Sequence, residues 1–231
     1  METASFSLLE LFRLGGVVMW PLLFFSIAAI ALSIERMVHL LYHNLRIADL
    51  EAQFSEYIKT GDYSGAAEYF SGLPKKRAGA RILFALAGQA KSGKAFSERR
   101  AERAVETEAT ACINSLESGF NFLTAIGSLA PLTGFLGTVT GMISAFRAIA
   151  EATDVNAQIV AHGIYEALIT TVFGLIIAII AMVAHSVFSH VVDQFAARVE
   201  GACSNLIAQI AEAASGPAQP ENTKSAEHHE N

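Results

Sequence analysis

Three long runs of uncharged, mostly apolar residues dominate the pattern along the chain, at positions 17–34, 118–146 and 167–192. Each run ends where charged residues begin. A helix needs about 20 predominantly apolar residues to cross a bilayer. The pattern therefore predicts an all-α integral membrane protein with three transmembrane helices, two of which extend into the cytoplasm as long helices.

The segment between the first and second runs, residues 42–117, mixes apolar and charged positions. Apolar residues recur at helical spacing over 45–60, and shorter helices are predicted over 63–70 and 78–91. From Ser97 onward no proline or strong breaker precedes the second run. We therefore expect one long helix to continue from this insert into the membrane.

The distribution of basic residues predicts the orientation of the chain, because Lys and Arg near the ends of spans are retained in the cytoplasm. Arginines follow the first run and precede the second, whereas the connection between the second and third runs is net negative. The amino terminus is thus expected outside and the carboxyl terminus inside. The predicted segments are an extracytoplasmic N-terminus (1–16), transmembrane helix 1 (17–41), a cytoplasmic helical insert (42–117), transmembrane helix 2 (118–147), a periplasmic loop (148–161), transmembrane helix 3 (162–192), a cytoplasmic helix (193–214) and a disordered tail (215–231).

Composition alone, with 52% hydrophobic and 16% charged residues, would also fit an apolar soluble protein, but the apolar residues are grouped in long blocks rather than scattered. Glu2 and Glu10 replace the basic start of a cleaved signal, so the first run is expected to be an uncleaved anchor. The sequence shows no phosphate-binding glycine loop, metal-ligand motif or catalytic triad. We predict that the chain is not an enzyme and uses no cofactor or metal. Cys112 and Cys203 are expected to stay reduced on the cytoplasmic side.

Small residues form one stripe on each of the last two predicted spans. The second span places these residues within roughly 60° of Thr138 on a helical projection: Thr124, Gly127, Pro131, Gly134, Gly141 and Ala145. The third span places these within an arc of about 80°, with Thr171 at one edge and Glu166 at the other: Gly163, Ala167, Thr170, Gly174, Ala178 and Ala181.

Two interpretations of these stripes stay open from the residues alone. Small residues let helix backbones approach closely in lipid, so the stripes can serve packing only. Alternatively they face a lumen, with Thr138 and Thr171 as its polar contacts. Glu166 favours the second interpretation, because an ionisable side chain at a span marks a functional site by default, yet it lies at the outer boundary, where water can reach it.

The same residues resemble a known family. The segments IGSLAPLTGFLGTVTGMISAF (126–146) and HGIYEALITTVFGLII (162–177), with Ser33-Ile34-Glu35-Arg36 at the end of the first span, are similar to the MotA/TolQ/ExbB proton-channel family, and most of all to its ExbB/TolQ branch. The resemblance covers nearly the whole chain. One departure is Ile180, where the family usually has a proline, so a straight helix is expected there.

The resemblance implies a subunit of a motor in the bacterial inner membrane that is driven by the proton motive force. In the family five copies enclose a pore, and two copies of a single-span ExbD/TolR-like partner insert their helices into it, with the partner's Asp carrying the proton. A TonB- or TolA-like protein receives the work, the surroundings are membrane lipid, and no nucleic acid is involved. At matching positions, Thr138 and Thr171 would be pore hydroxyls and Glu166 the acidic pore residue, with Pro131, Gly134, Thr170 and His185 as secondary candidates.

An independent argument also points to a partner chain. The three apolar runs contain no Asp, Lys or Arg, and Glu166 lies only at the edge of the third, so another chain must supply a titratable group at mid-membrane. His185 can titrate near neutral pH, although interfacial histidines bonded to water or headgroups are commoner.

The expected output is energy for TonB-dependent outer-membrane transport. TolQ-type envelope maintenance and gliding motility are the alternatives within the same class. A non-conducting membrane scaffold is the alternative from another class.

Overall fold

The computed structural model describes residues 8–74, 77–91, 96–151 and 157–215, and within these ranges the chain is built from helices. The elements are α1 (Leu8–Leu14), α2 (Met19–Tyr42), α3 (Ala48–Thr60), α4 (Tyr63–Gly72), α5 (Ala78–Ala90), α6 (Glu98–Glu117), α7 (Phe120–Glu151) and α8 (Ala157–Ser215). The only β-type pairing within these ranges is an isolated bridge between Asn44 and Arg77. The all-α prediction is confirmed. The predicted tail beyond Ser215 and residues 152–156 of the predicted 148–161 loop lie outside the described residues, and the rest of that predicted loop belongs to α7 and α8.

In the described part of the chain, three helices are long and apolar enough to cross a membrane: α2, α7 and the Ala161–Ser215 part of α8. They correspond to the three apolar runs of the sequence, so the predicted number of spans is confirmed. The helix expected beyond the third run is also present, because α8 continues without interruption from the apolar run to Ser215 and passes through Ile180.

The helix expected to run unbroken from Ser97 into the second span is interrupted between α6 and α7. Gly119 has a φ of 91°, a left-handed conformation that glycine adopts without steric cost. A Cβ atom at this position would lie 2.9 Å from the Arg36 guanidinium Nε of α2. Glycine at position 119 thus permits the left-handed turn and leaves room for the Arg36 side chain.

The described residues fall into two compact units. The span unit comprises those within Met1–Tyr42 and Asn114–Asp193, and the insert unit those within His43–Ile113 and Gln194–Asn231. Each helix α6 and α8 contributes to both.

The core of the span unit is formed where α2, α7 and α8 meet. Its buried residues are Met19, Leu22, Ala29, Ile126, Ala130, Ile169, Ile177 and Ala181. Helix α1, which the sequence pattern did not predict, packs Leu11, Phe12 and Leu14 against this core. The Phe12 ring meets the Trp20 ring edge to face at 5.4 Å between centroids. Apolar side chains on the outside of the unit, such as Leu132, suit contact with lipid or with a neighbouring protein.

The insert unit has a core of ordinary water-soluble type. Phe54 of α3 stacks on Phe70 of α4 at 5.5 Å between ring centroids. Arg81 of α5 donates to the Glu108 carboxylate of α6 at 2.8 Å. The helices predicted over 45–60, 63–70 and 78–91 are therefore present, with ends within a few residues of those expected.

The two cysteines of this unit differ in accessibility, which gives a prediction about their reactivity. Burial, reinforced by the charge of Glu51, raises the pKa of the Cys203 thiol to about 12. This lowers its reactive thiolate fraction roughly a thousandfold relative to an ordinary thiol. Cys112 is only half-buried, and although burial raises its pKa, the nearby Arg81 opposes that effect.

At pH 8 we expect maleimide to label Cys112 of the folded protein much faster than Cys203. Labelling rates of Cys203→Ala and Cys112→Ser variants, each with one remaining thiol, measure the difference. After denaturation the two variants should react at the same rate. If they also react at equal rates in the native protein, Cys203 does not have the buried position described.

Candidate site at the contact between α7 and α8

The backbones of α7 and α8 touch at a pair of glycines. A Cβ atom on Gly134 would lie 2.8 Å from the Thr170 carbonyl oxygen and 3.1 Å from the Thr171 Cα. A Cβ atom on Gly174 would lie 2.6 Å from the Ala130 carbonyl oxygen. Because these obstacles are backbone atoms, no side-chain rotation relieves the clash. Only glycine fits at either position.

The close approach continues toward the loop that joins the two helices. A Cβ atom on Gly141 would lie 3.0 Å from the Gly163 carbonyl oxygen, and one on Gly163 would lie 2.6 Å from the Ala145 Cβ. Residues of the two predicted stripes therefore face one another within a single chain. This arrangement is the packing interpretation of the stripes, and it uses the spacing of four residues typical of close helix contacts in membranes.

Hydroxyl groups of α8 reach across this contact to the backbone of α7. Thr170 is fully buried, and its Oγ1 donates to the Ala167 carbonyl at 2.9 Å and to the Gly134 carbonyl at 3.3 Å. Thr171 is half-buried, and its Oγ1 donates to the same Gly134 carbonyl at 3.3 Å. The Gly134 carbonyl is thus the acceptor for two neighbouring threonines. Thr170, which sequence analysis named only as a secondary candidate, is more deeply buried than Thr171.

Thr138 and Pro131 lie on α7 without a comparable link to α8. The Thr138 Oγ1 donates to the Phe135 carbonyl of its own helix at 2.6 Å, a bond that threonines in helices commonly make. Pro131 is half-buried inside α7. Thr138 and Thr171 are not joined by a hydrogen bond within the described ranges.

Glu166 is half-buried near the start of the apolar part of α8, and its carboxylate contacts Gly16. Gly16 forms the turn between α1 and α2 with a φ of 66°. The carboxylate also borders a cavity of about 410 Å³ together with Ser144, His162 and Gly163. The partner of Glu166 in the fold is thus the amino-terminal turn. The Gly15-Gly16 pair before the first span is the feature of the sequence that could have indicated this turn.

His185 lies in a different part of the span unit. Its half-buried ring meets the Phe120 ring at 6.0 Å between centroids, beside a polar cavity of about 280 Å³ that Glu117 and Asn121 also line. At a helical rise of 1.5 Å per residue it is about 21 Å along α8 from Thr171. The structure does not bring it together with the threonines.

The contact between Glu166 and Gly16 leads to a testable expectation. Gly16→Ala is expected to lower stability by more than the ~1–2 kcal/mol that a positive φ costs an L-residue, because the added methyl also displaces the Glu166 carboxylate. Thermal unfolding in detergent measures the loss.

Gly61→Ala is the matched control, since Gly61 has a φ of 71° and open space around it. In a Glu166→Ala background, the loss of stability caused by Gly16→Ala should come closer to the loss caused by Gly61→Ala. If Gly16→Ala and Gly61→Ala cost the same, the carboxylate does not lie at this turn.

These features define a class of protein: a helical membrane protein with three spans, whose second and third spans pack through glycines and carry hydroxyls and a carboxylate. The chain belongs to the MotA/TolQ/ExbB proton channel family, whose model matches residues 77–201. This family is the one that the sequence resemblance indicated.

Individual relatives are similar over different extents. The biopolymer transport protein ExbB of Pseudomonas putida is 35% identical over 53% of this chain and 37% of its own length. The putative biopolymer transport protein ExbB-like 1 of Synechocystis is 34% identical over 82% of this chain and 75% of the relative. The Tol-Pal system protein TolQ of Haemophilus influenzae is 45% identical over 32% of each. The chain thus spans little more than a third of the length of the Pseudomonas ExbB that it matches.

Proposed function

We propose that this chain is the channel-forming subunit of an inner-membrane motor that converts the proton motive force into mechanical work. Membership of a proton channel family is the observation that carries the proposal. The contact between α7 and α8 supports it, because threonine hydroxyls are held at fixed positions on a rigid, glycine-packed pair of apolar helices. Such a pair is a suitable wall for a hydrated path.

A partner must carry the proton. The uncharged runs at 17–34, 118–146 and 167–192 contain no acidic or strongly basic side chain, and hydroxyls do not take up and release protons at neutral pH. Five copies of this chain would enclose the pore, and two single-span ExbD/TolR-like helices would bring a membrane carboxylate into it. The names of the ExbB and TolQ relatives support this partner type.

The proposed roles of the site residues follow from their positions. Thr171 is half-buried at the edge of the helix contact, where its hydroxyl can order water beside the partner's carboxylate. Thr138 would present its hydroxyl from the neighbouring helix, and Thr170 would fix the spacing of α7 and α8. Glu166 would anchor the amino-terminal turn at the periplasmic end and attract cations there.

The proposed topology follows the distribution of basic residues. The amino terminus lies in the periplasm, and the insert unit and the carboxyl terminus lie in the cytoplasm. We propose that the work is delivered through a TonB-like protein to outer-membrane transport, which the similarity to biopolymer transport proteins of the ExbB type supports. A TolA-like output is the alternative, since TolQ proteins are also among the relatives.

One observation favours a second candidate function, a non-conducting scaffold. The glycines that would be free to line a lumen are used for packing within one chain. A scaffold needs that packing and nothing more.

The mass of the detergent-solubilised complex and its proton flux distinguish the two candidates. The chain is expressed with and without a single-span partner and weighed by native mass spectrometry. The same samples are reconstituted into vesicles that contain a pH-sensitive dye. A pentamer with about two partner chains and a flux that depends on the partner are expected. A complete assembly without flux would favour the scaffold, and a monomer that ignores the partner would refute the motor.

A further inference from the structure

The cavity of about 410 Å³ beside Glu166 lies where the end of α7 faces the beginning of α8. Polar side chains from both helices border it: Ser144 of α7 and Gln158, His162 and Glu166 of α8. The three residues of α8 are spaced by four positions, so their side chains are neighbours along one face of the helix. All the residues that line the cavity belong to the span unit. The fold thus gathers these polar groups around one space.

Each of these side chains carries an atom that can bind a metal ion. The neutral imidazole of His162 offers a ring nitrogen, which is the commonest metal ligand in proteins. The Glu166 carboxylate has two oxygens, of which Oε1 is the one closest to Gly16, so Oε2 is a second potential ligand. The amide of Gln158 and the hydroxyl of Ser144 add neutral oxygens. The cavity is therefore bordered by one nitrogen ligand and several oxygen ligands.

The charge around the cavity favours a cation. Glu166 contributes a carboxylate, and no lysine or arginine borders the cavity within the described part of the chain. Arg147 precedes the lining residue Ala148, but it forms an exposed ion pair with Glu151 at 2.9 Å. A neutral His162 leaves the set of lining groups with a net negative charge.

The ligand types indicate which cations fit. An imidazole nitrogen suits zinc, copper and nickel, whereas magnesium and calcium prefer oxygen ligands alone. His162 and Glu166 stand four positions apart, the spacing at which two ligands on one helix face hold zinc in known motifs. Among the described residues no third histidine, cysteine or carboxylate joins them. The remaining coordination positions fall to neutral oxygens and to water, which a cavity of this size admits.

We propose that this cavity binds a divalent transition-metal ion of the zinc type, with His162 and Glu166 as its two main ligands. Gln158 and Ser144 supply the neutral oxygens. Because Ser144 belongs to α7 and the other three belong to α8, a bound ion ties the facing ends of the two helices together. The proposed topology opens this end to the periplasm, from which the ion enters. The site is separate from the threonines at the Gly134 carbonyl.

Titration of the purified full-length chain with zinc chloride tests the site directly. The protein carries no affinity tag, and His228→Ala with His229→Ala removes the paired histidines near the carboxyl terminus as competing ligands. Calorimetry in detergent is expected to show one zinc ion bound per chain, and zinc should raise the thermal midpoint, since a ligand of the folded state stabilises it. Magnesium chloride at the same concentrations should do neither.

Removal of either main ligand identifies the residues. In this background, His162→Ala and Glu166→Gln are each expected to weaken zinc binding at least about tenfold, because loss of even an indirect partner of a ligand costs that much. His190→Ala is the matched control. His190 is also exposed on α8, seven turns further along the helix at 3.6 residues per turn. This change should leave the zinc affinity unaltered.

A gain of affinity provides the measurement that misfolding would not imitate. Gln158→His adds a second imidazole one turn before His162, which gives the three strong protein ligands of many zinc sites. Zinc binding is expected to tighten at least about tenfold, because the new ligand replaces a neutral amide oxygen. The same substitution combined with His162→Ala should lose most of that gain.

The outcomes separate this inference from the proposed function, because binding is measured on the chain without a partner and without proton flux. If zinc binds with equal affinity to the His162→Ala variant, or magnesium binds as well as zinc, the ion is adventitious and the inference is wrong. If Gln158→His leaves the affinity unchanged, the stripe on α8 does not converge on one ion. If the expected pattern appears in a protein that conducts no protons, the metal site stands while the motor proposal fails.

Discussion

Replacing Gly174 by alanine is expected to lower the stability of the protein by about 1–3 kcal/mol, the usual cost of forcing a methyl group into a filled space. The new Cβ would lie 2.6 Å from the Ala130 carbonyl oxygen, so the helices α7 and α8 must separate. Separation also weakens the bonds from Thr170 and Thr171 to the Gly134 carbonyl. The fall in thermal midpoint of the purified protein in detergent measures the loss.

Gly201→Ala provides the control in the same helix. Gly201 has no neighbouring atom within 4 Å of the position of an added Cβ. This change should therefore leave stability unchanged or raise it by roughly 0.5–1 kcal/mol, since alanine favours the helix over glycine. Gly134→Ala should behave like Gly174→Ala. If Gly174→Ala is as stable as the unchanged protein, α7 and α8 do not touch at this level.

Substitution of Thr171 by valine is expected to reduce proton flux at least about tenfold while the complex still assembles. A tenfold loss corresponds to ~1.4 kcal/mol of barrier. Valine keeps the branched shape of threonine but removes the hydroxyl, which is proposed to order water beside the partner's carboxylate. The stability of the fold should fall little, because the Gly134 carbonyl keeps the hydrogen bond that it accepts from the backbone of its own helix. Flux into vesicles and the native mass of the same preparation measure the two effects separately.

Thr133→Val is the matched control for this experiment. Thr133 lies on α7, and its Oγ1 donates only within its own helix, to the Leu129 carbonyl at 2.8 Å. Its loss should leave flux near that of the unchanged protein. Thr138→Val is expected to resemble Thr171→Val if both hydroxyls border the path. Normal flux through an assembled Thr171→Val complex would remove this threonine from the proposed path.

The helical pattern was predictable because it depends on local sequence. Spans α2, α7 and α8 were visible as uncharged runs, since burial in lipid requires about 20 apolar residues whatever the neighbours are. The ends of α3 and α4 were visible at Gly61 and Asp62, where Asp62 accepts a hydrogen bond from the Gly65 amide at 2.8 Å. Helix α1 was missed because seven residues carry too little periodicity.

The interruption at Gly119 shows a limit of local patterns. An isolated glycine within a helical sequence is compatible with a continuous helix, and the pattern on both sides of it is helical. The positive φ accompanies a close neighbour from α2, the Arg36 guanidinium. That neighbour is 83 positions away in the chain, so no window of local sequence contains this contact.

Sequence alone predicts three membrane-spanning helices, small-residue stripes on the last two of them, and three apolar runs that contain no Asp, Glu, Lys or Arg. These properties follow from residue type and helical period. The tertiary structure decided which surfaces meet: Gly134 against Gly174, Thr170 and Thr171 on the Gly134 carbonyl, and Glu166 on the Gly16 turn. Periodicity gives the direction of a side chain around its own helix, whereas its partner depends on how separate helices pack, and that is set by close contacts between residues distant in the chain.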